Sequence, residues 1–167
     1  VAGLGNIFQA DDGFGVAVAA ALHDVPMPDG VEVRDFGIRG IHLAYALLDG
    51  YDLVVIVDAV SRGEQPGTVY VIEHGADTAH AAAPDGSMLD AHDMDPDEVL
   101  ALVPRLGGTL GRVVIVGCEP ESISAGMGLS PPVGRSVKTA AEQVAALVSG
   151  AISPARQADA PAHAGRN

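Results

Sequence analysis

Tryptophan is absent from this chain, phenylalanine and tyrosine contribute three residues each, and cysteine occurs once. With so few rings, the interior of a 167-residue protein has to be assembled from Val, Leu, Ile and Ala, which suits layered α/β packing. The single thiol, Cys118, excludes an internal disulfide; its place in an apolar run predicts burial and a reducing compartment. Basic residues are scarce as well: 9 Lys and Arg stand against 22 Asp and Glu, a formal net charge of −13. No basic patch interrupts that balance, so nucleic acid and anionic membranes are poor partners. No apolar stretch reaches the length of a membrane span and no signal-peptide pattern is visible, which predicts a cytoplasmic protein. Nothing in the pattern argues for assembly, so a monomer is expected. The sequence opens at Val1, already within a strand pattern, and a few residues are expected to precede it.

What is present is an alternation of strand and helix patterns over residues 1–150, read as one domain, followed by a tail over 151–167 read as disordered. Val1-Ala2-Gly3-Leu4 reads as a buried strand entering a Gly-rich turn, with a helix from Asp11 or Asp12. Strands are expected at 31–36, 53–57, 68–72 and 112–116, and helices over 41–48, from Pro96, and over 136–148. The run Leu53-Val54-Val55-Ile56-Val57 is the clearest strand, apolar throughout and therefore central, parallel and covered on both faces. The strand at 68–72 follows with no room for a helix, which predicts an antiparallel edge position. Residues 76–91 have no period and read as a long loop, while Asp95-Pro96-Asp97-Glu98 has the cap, proline and acids of a helix start. The fold class expected is a three-layer α-β-α sandwich on a mostly parallel, twisted sheet of about five strands. In such sheets ligands bind beyond the carboxyl ends of the strands.

The unusual polar residues fall at those ends. Asp12 follows the first strand. Asp58 terminates the apolar run, where a carboxylate is costly unless bonded or metal-bound. His92 lies in a stretch where residues 85–98 hold six acids and no base. Taken singly, each has a bland alternative as helix-start decoration, loop cap or solvated acidic loop. Together they make an O/O/N donor set of the kind borderline divalent metals accept. Asp11, Gly37, Arg39, Gly40 and His42 are candidates for a substrate groove or for supporting the ligands, and Asp11 alternatively for a helix cap. Other chemistries fit poorly. Gly3-x-Gly5 lacks the third glycine of a dinucleotide loop, and no phosphate loop, Gly-x-Ser-x-Gly elbow or His-Glu-x-x-His helix occurs.

Four blocks in order resemble the hydrogenase maturation proteases. They are Gly3-Leu4-Gly5-Asn6 with Asp11-Asp12-Gly13-x-Gly15, Asp35-x-Gly37-x-x-Gly40, Val57-Asp58-Ala59, and Ala91-His92-Asp93-Met94. The resemblance spans roughly residues 1–148. It implies a nickel-dependent endopeptidase that removes the C-terminal extension of a nickel–iron hydrogenase large-subunit precursor once its metal is inserted. It places the metal ligands and catalytic residues on Asp12, Asp58 and His92. The ion, Ni2+, is expected to arrive with the substrate, with Zn2+ or Cd2+ as crystallographic stand-ins. Asp12 stands where many members have Glu, and Glu119 where Gln often precedes Pro. The competing readings are a nickel-centre binding or assembly factor without turnover, a peptidyl-tRNA hydrolase-like hydrolase, and a flavodoxin-like or nucleotide-binding domain. The second opens with a similar Gly-Leu-Gly-Asn turn but wants a histidine soon after it.

Overall fold

The computed structural model describes residues 1–75 and 96–152. The loop expected at 76–91, His92, the cap at Asp95 and the tail beyond 152 lie outside the described residues.

Five strands form one sheet: β1 (Ala2–Leu4), β2 (Arg34–Gly37), β3 (Leu53–Ala59), β4 (Val69–His74) and β5 (Arg112–Cys118). Their order across the sheet is β2-β1-β3-β5-β4, and all neighbours are parallel except β4 with β5. The antiparallel edge strand is therefore as expected from the short connection after β3. Among the described residues four α-helices cover the sheet: α1 (Phe14–Leu22), α2 (Gly40–Leu47), α3 (Pro96–Arg105) and α4 (Pro131–Ile152). None of the described helices is long and apolar enough to cross a membrane.

β3 shows why the sheet needs two covers. Alternate residues of a strand face opposite sides. Val54 and Ile56 join Leu43, Leu47, Val99 and Val103 in a core beneath α2 and α3. Val55 and Val57 join Phe14, Val18, Val144 and Val148 in a second core beneath α1 and α4. Full burial of such a Val or Ile side chain contributes roughly 1.5–3 kcal/mol, so a five-residue run without a polar break specifies the sheet's centre. Asp58 follows in the register of Val54 and Ile56, at the rim of the first core.

Three element starts differ from the sequence reading by more than one residue; β2, expected from 31, begins at Arg34. α1 begins at Phe14 rather than at the aspartates, because Ala10–Gly13 forms a single 3-10 turn ahead of it. The closing helix begins at Pro131, five residues before the expected start. Prolines are tolerated in a helix's first turn, where the missing N–H has no partner to lose, and the first helical bond runs from the Gly134 amide to the Ser130 carbonyl at 2.8 Å.

Glycine decides one approach outright. A Cβ on Gly15 would stand 2.1 Å from the Val57 carbonyl and 2.3 Å from that of Leu4. Only its absence lets α1 lie directly on the β1–β3 junction.

Candidate active site

The chain leaves β1 toward β2 on one side, then crosses back to place β3 on the other side of β1. The sheet's switch point therefore lies between β1 and β3, where open α/β sheets hold their ligands. The register pairs Gly3 with Val57, which sets the carboxyl ends of the two strands side by side. A cleft of about 570 Å3 opens there, lined by Leu4, Gly5, Asp12, Gly37, Gly40 and Asp58 among others.

Asp12 and Asp58 thus meet across 46 positions of sequence in one cleft. Asp12 is fixed by a 2.6 Å bond in which the Asn6 amide donates to its Oδ2. That is the one hydrogen bond its carboxylate makes among the described residues. Gly5 makes the turn possible: its φ is +120°, and a Cβ there would fall 1.7 Å from the Asp12 carbonyl oxygen. Asp58 accepts the Ala59 amide at 2.8 Å through Oδ1, so its side chain is folded against the strand end. His92, the expected third member, lies outside the described residues. Within them, no group of three or more His, Cys, Asp or Glu is placed to hold a metal ion.

The other candidates separate. Gly37 and Gly40 line the cleft, whereas Asp11, Arg39 and His42 are not among the lining residues. Arg39 turns its guanidinium back along β2, donating to the Phe36 carbonyl at 3.0 Å and the Asp35 carbonyl at 3.2 Å. His42 is exposed on α2.

Asp11 is wholly buried. Its carboxylate caps neither the 3-10 turn nor α1. It accepts amides from Glu121 at 2.8 Å, Ser122 at 3.1 Å and Ser130 at 2.6 Å. Burial pushes its pKa up, but these bonds outweigh it and hold the carboxyl below its ordinary value.

Glu119 is the second buried acid, in the place where the resemblance led one to look for Gln. It accepts the Tyr70 hydroxyl at 2.6 Å and the amides of Arg62 at 2.8 Å and Gly63 at 3.2 Å. The Tyr70 bond, with the amides, holds the Glu119 carboxyl below its usual range against the opposing effect of burial. The hydroxyl of Tyr70 is pushed up to about 12 by burial and by that carboxylate. The loop so held follows Asp58, and its Val60 and Ser61 form part of the cleft wall. Between the two buried acids, the Cys118 thiol is pushed up to about 11, first by burial and then by the charges of Asp11 and Glu119. That makes it a packing group rather than a nucleophile.

Sequence reasoning did not assign the structural roles of Asp11 and Glu119, nor place Asp97 on the cleft. Asp97, in the first turn of α3, lines the cleft and faces the side chain of His74, with Oδ1 and Nδ1 3.3 Å apart. The proximity of positions 74 and 97 is a tertiary fact that neither local pattern encodes.

The fold is an open α/β sheet with a carboxylate-lined cleft at its switch point. Residues 16–147 match the family model described as hydrogenase maturation protease. The chain is 33% identical over 150 residues to the hydrogenase expression/formation protein HupD of Rhizobium leguminosarum bv. viciae, covering 89% of this chain and 72% of that one. The hydrogenase maturating endopeptidase HybD of E. coli superposes with a TM-score of 0.73 at 26% identity, over 90% of this chain and 91% of that one. An endopeptidase from Escherichia coli solved in solution gives 0.73 at 30% identity, over 91% and 92%. The chain belongs to the hydrogenase maturation protease family and is an endopeptidase.

Proposed function

We propose that Asp12, Asp58 and His92 grip the nickel carried by a nickel–iron hydrogenase large-subunit precursor and so fix the scissile peptide in the cleft. The enzyme removes the precursor's C-terminal extension after nickel insertion. The observation that carries the ligand assignment is the convergence of Asp12 and Asp58 on one cleft at the switch point. His92 is supported by its tether. It stands four residues before Pro96, which lines the same cleft, and four residues reach at most about 14 Å.

Two carboxylates and an imidazole suit a borderline divalent ion and leave positions open for the ligands it already has on the substrate. Nickel is substrate here, and its recognition doubles as a proofreading step, because a precursor without metal offers the aspartates nothing to bind. The ion serves as a template that brings the scissile carbonyl against the cleft wall, and such positioning is worth several kcal/mol of barrier. Hydrolysis then adds a water oxygen to the carbonyl carbon, breaks the C–N bond and leaves the proton on the departing amine. A monomer working in the cytoplasm fits this role, with its one thiol buried and reduced.

The test is incubation with nickel-loaded and nickel-free precursor, read by mass spectrometry. The nickel-loaded form should lose a mass equal to a C-terminal peptide, the nickel-free form should stay intact, and His92→Ala should lose cleavage. A stable complex that never loses mass would instead identify an assembly factor.

A further inference from the structure

Beside the cleft, the chain holds a set of large apolar side chains in water. Ile7 and Phe8 are 46% and 62% exposed, and Ile123 and Met127 are 56% and 78% exposed. Single exposed apolar residues are ordinary, but these four sit on two loops that are fastened together. The Ala10 amide donates to the Gly126 carbonyl at 3.0 Å, the Gly126 amide to the Phe8 carbonyl at 2.9 Å, and the Asp11 amide to the Ser122 carbonyl at 3.1 Å. The Asp11 carboxylate then grips the amides of Glu121, Ser122 and Ser130. A buried charge and a short backbone ladder thus hold this apolar surface in shape. In a chain of net charge −13, residues 6–10 and 122–130 carry no charged side chain at all. Depletion of charge around exposed apolar groups is the composition of an interface core.

The position of the ledge says what it meets. Asn6, whose amide holds Asp12, is followed directly by Ile7 and Phe8, so the ledge begins one residue from the group that fixes Asp12, within reach of the residues that flank a peptide bound there. We propose that this ledge docks an apolar segment of the large-subunit precursor adjoining the scissile bond. The inference rests on the reading of the cleft given above. It adds a second element of recognition: the aspartates select the metal state, and the ledge selects the polypeptide.

The test uses the full chain and nickel-loaded precursor, with the double variant F8S/M127S and the conservative pair F8L/M127L. Both sites are exposed, and thermal melts check that folding is unchanged. Loss of binding that is equal in ground and transition state raises KM and spares kcat. F8S/M127S should raise KM roughly tenfold with kcat within about twofold, and F8L/M127L should restore KM. An unchanged KM, or a loss confined to kcat, overturns the proposal. Sedimentation showing a wild-type dimer that F8S/M127S dissolves would assign the ledge to a second copy and also overturn it. The cleft is judged separately: Asp58→Ala should stop turnover while precursor still binds through the ledge. If even the wild-type chain fails to cleave, calorimetric binding of precursor decides, with equal affinity of F8S/M127S counting against the ledge and a comparable tenfold loss supporting it.

Discussion

Among the carboxylates at this edge of the molecule, four fall into two pairs that behave in opposite ways. Asp11 and Glu119 are buried, and each accepts several protein hydrogen bonds. Asp12 and Asp58 line the cleft, where the Asn6 amide donates to Asp12 and the Ala59 amide to Asp58. Asp11 and Asp12 are neighbours in the chain, so nothing about residue type or local propensity separates them. What separates them is where the acceptor capacity goes. A carboxylate offers about four lone-pair sites. Asp11 gives three contacts to backbone amides and becomes a clasp, while Asp12 gives one and keeps an open side toward the cleft.

The largest test of that contrast is at the cleft pair. Asp58→Ala should lower the rate of precursor processing by roughly three orders of magnitude or more, the scale on which positioning and metal contacts act. Its melting temperature should stay within a few degrees of wild type, because Asp58 sits at a half-buried strand end. Asp12→Asn should fall nearly as far, since it removes charge with little change of shape. Processing at wild-type rates in either variant would show that the cleft pair is no more functional than the buried pair.

The clasp should respond the other way round. Asp11→Ala takes away the acceptor shared by three backbone amides and should cost about 3 kcal/mol of unfolding free energy by urea titration. The folded fraction should still turn over precursor at a measurable rate, because Asp11 is not among the residues lining the cleft. A stable but inactive Asp11→Ala protein would reverse the assignment and move Asp11 into the site.

Some of this was legible in the sequence and some was not, for physical reasons that differ by element. β3 announced itself because five apolar residues in a row, four of them β-branched, favour a short strand covered on both faces, and Asp58 announced itself by ending that run. The antiparallel place of β4 followed from a connection too short for a helix. The clasps were illegible because the amides that define Asp11 come from residues up to 119 positions away, and those that define Glu119 from up to 57. The start of α4 was hidden by prolines: Pro131 and Pro132 read as turn residues locally, and only the helix behind them makes them its first turn. His92 was read from its place in an acidic stretch ahead of a helix start and from motif order, and its part in the site stands as a proposal.

Acid titration sharpens the same contrast at smaller amplitude. Asp11 and Glu119 both titrate below their ordinary values of 3.8 and 4.5 when folded. A depressed carboxylate pKa means that the unfolded chain takes up protons first, so stability is fully present above the unfolded value and is lost as pH falls through the folded one. Wild-type stability should therefore hold from neutral pH to about 5 and decline below it. Glu119→Gln loses the charge that the Tyr70 hydroxyl and the amides of Arg62 and Gly63 point at. It should melt lower than wild type at pH 7 by roughly 3–6 °C, and the gap should close toward pH 3. A gap that is constant with pH would mean that shape, not charge, holds the 60–67 loop.

The smallest effect is read at Cys118, which lies between the clasps and senses both. With its pKa at about 11, roughly one thiol in a thousand is ionised at pH 8, so iodoacetamide should label the folded protein very slowly. Burial is the first cause of that elevation, and the charges of Asp11 and Glu119 follow it. Neutralising either acid should therefore bring the thiol down and speed labelling a few-fold at fixed pH, under conditions where melts show the variant fully folded. Asp12→Asn and Asp58→Ala should change the labelling rate far less, because the charges that lead the Cys118 shift are those of Asp11 and Glu119. The thiol thus distinguishes the two pairs without any substrate. If cleft and clasp variants moved it equally, the four carboxylates would form one electrostatic unit and the division between them would fail.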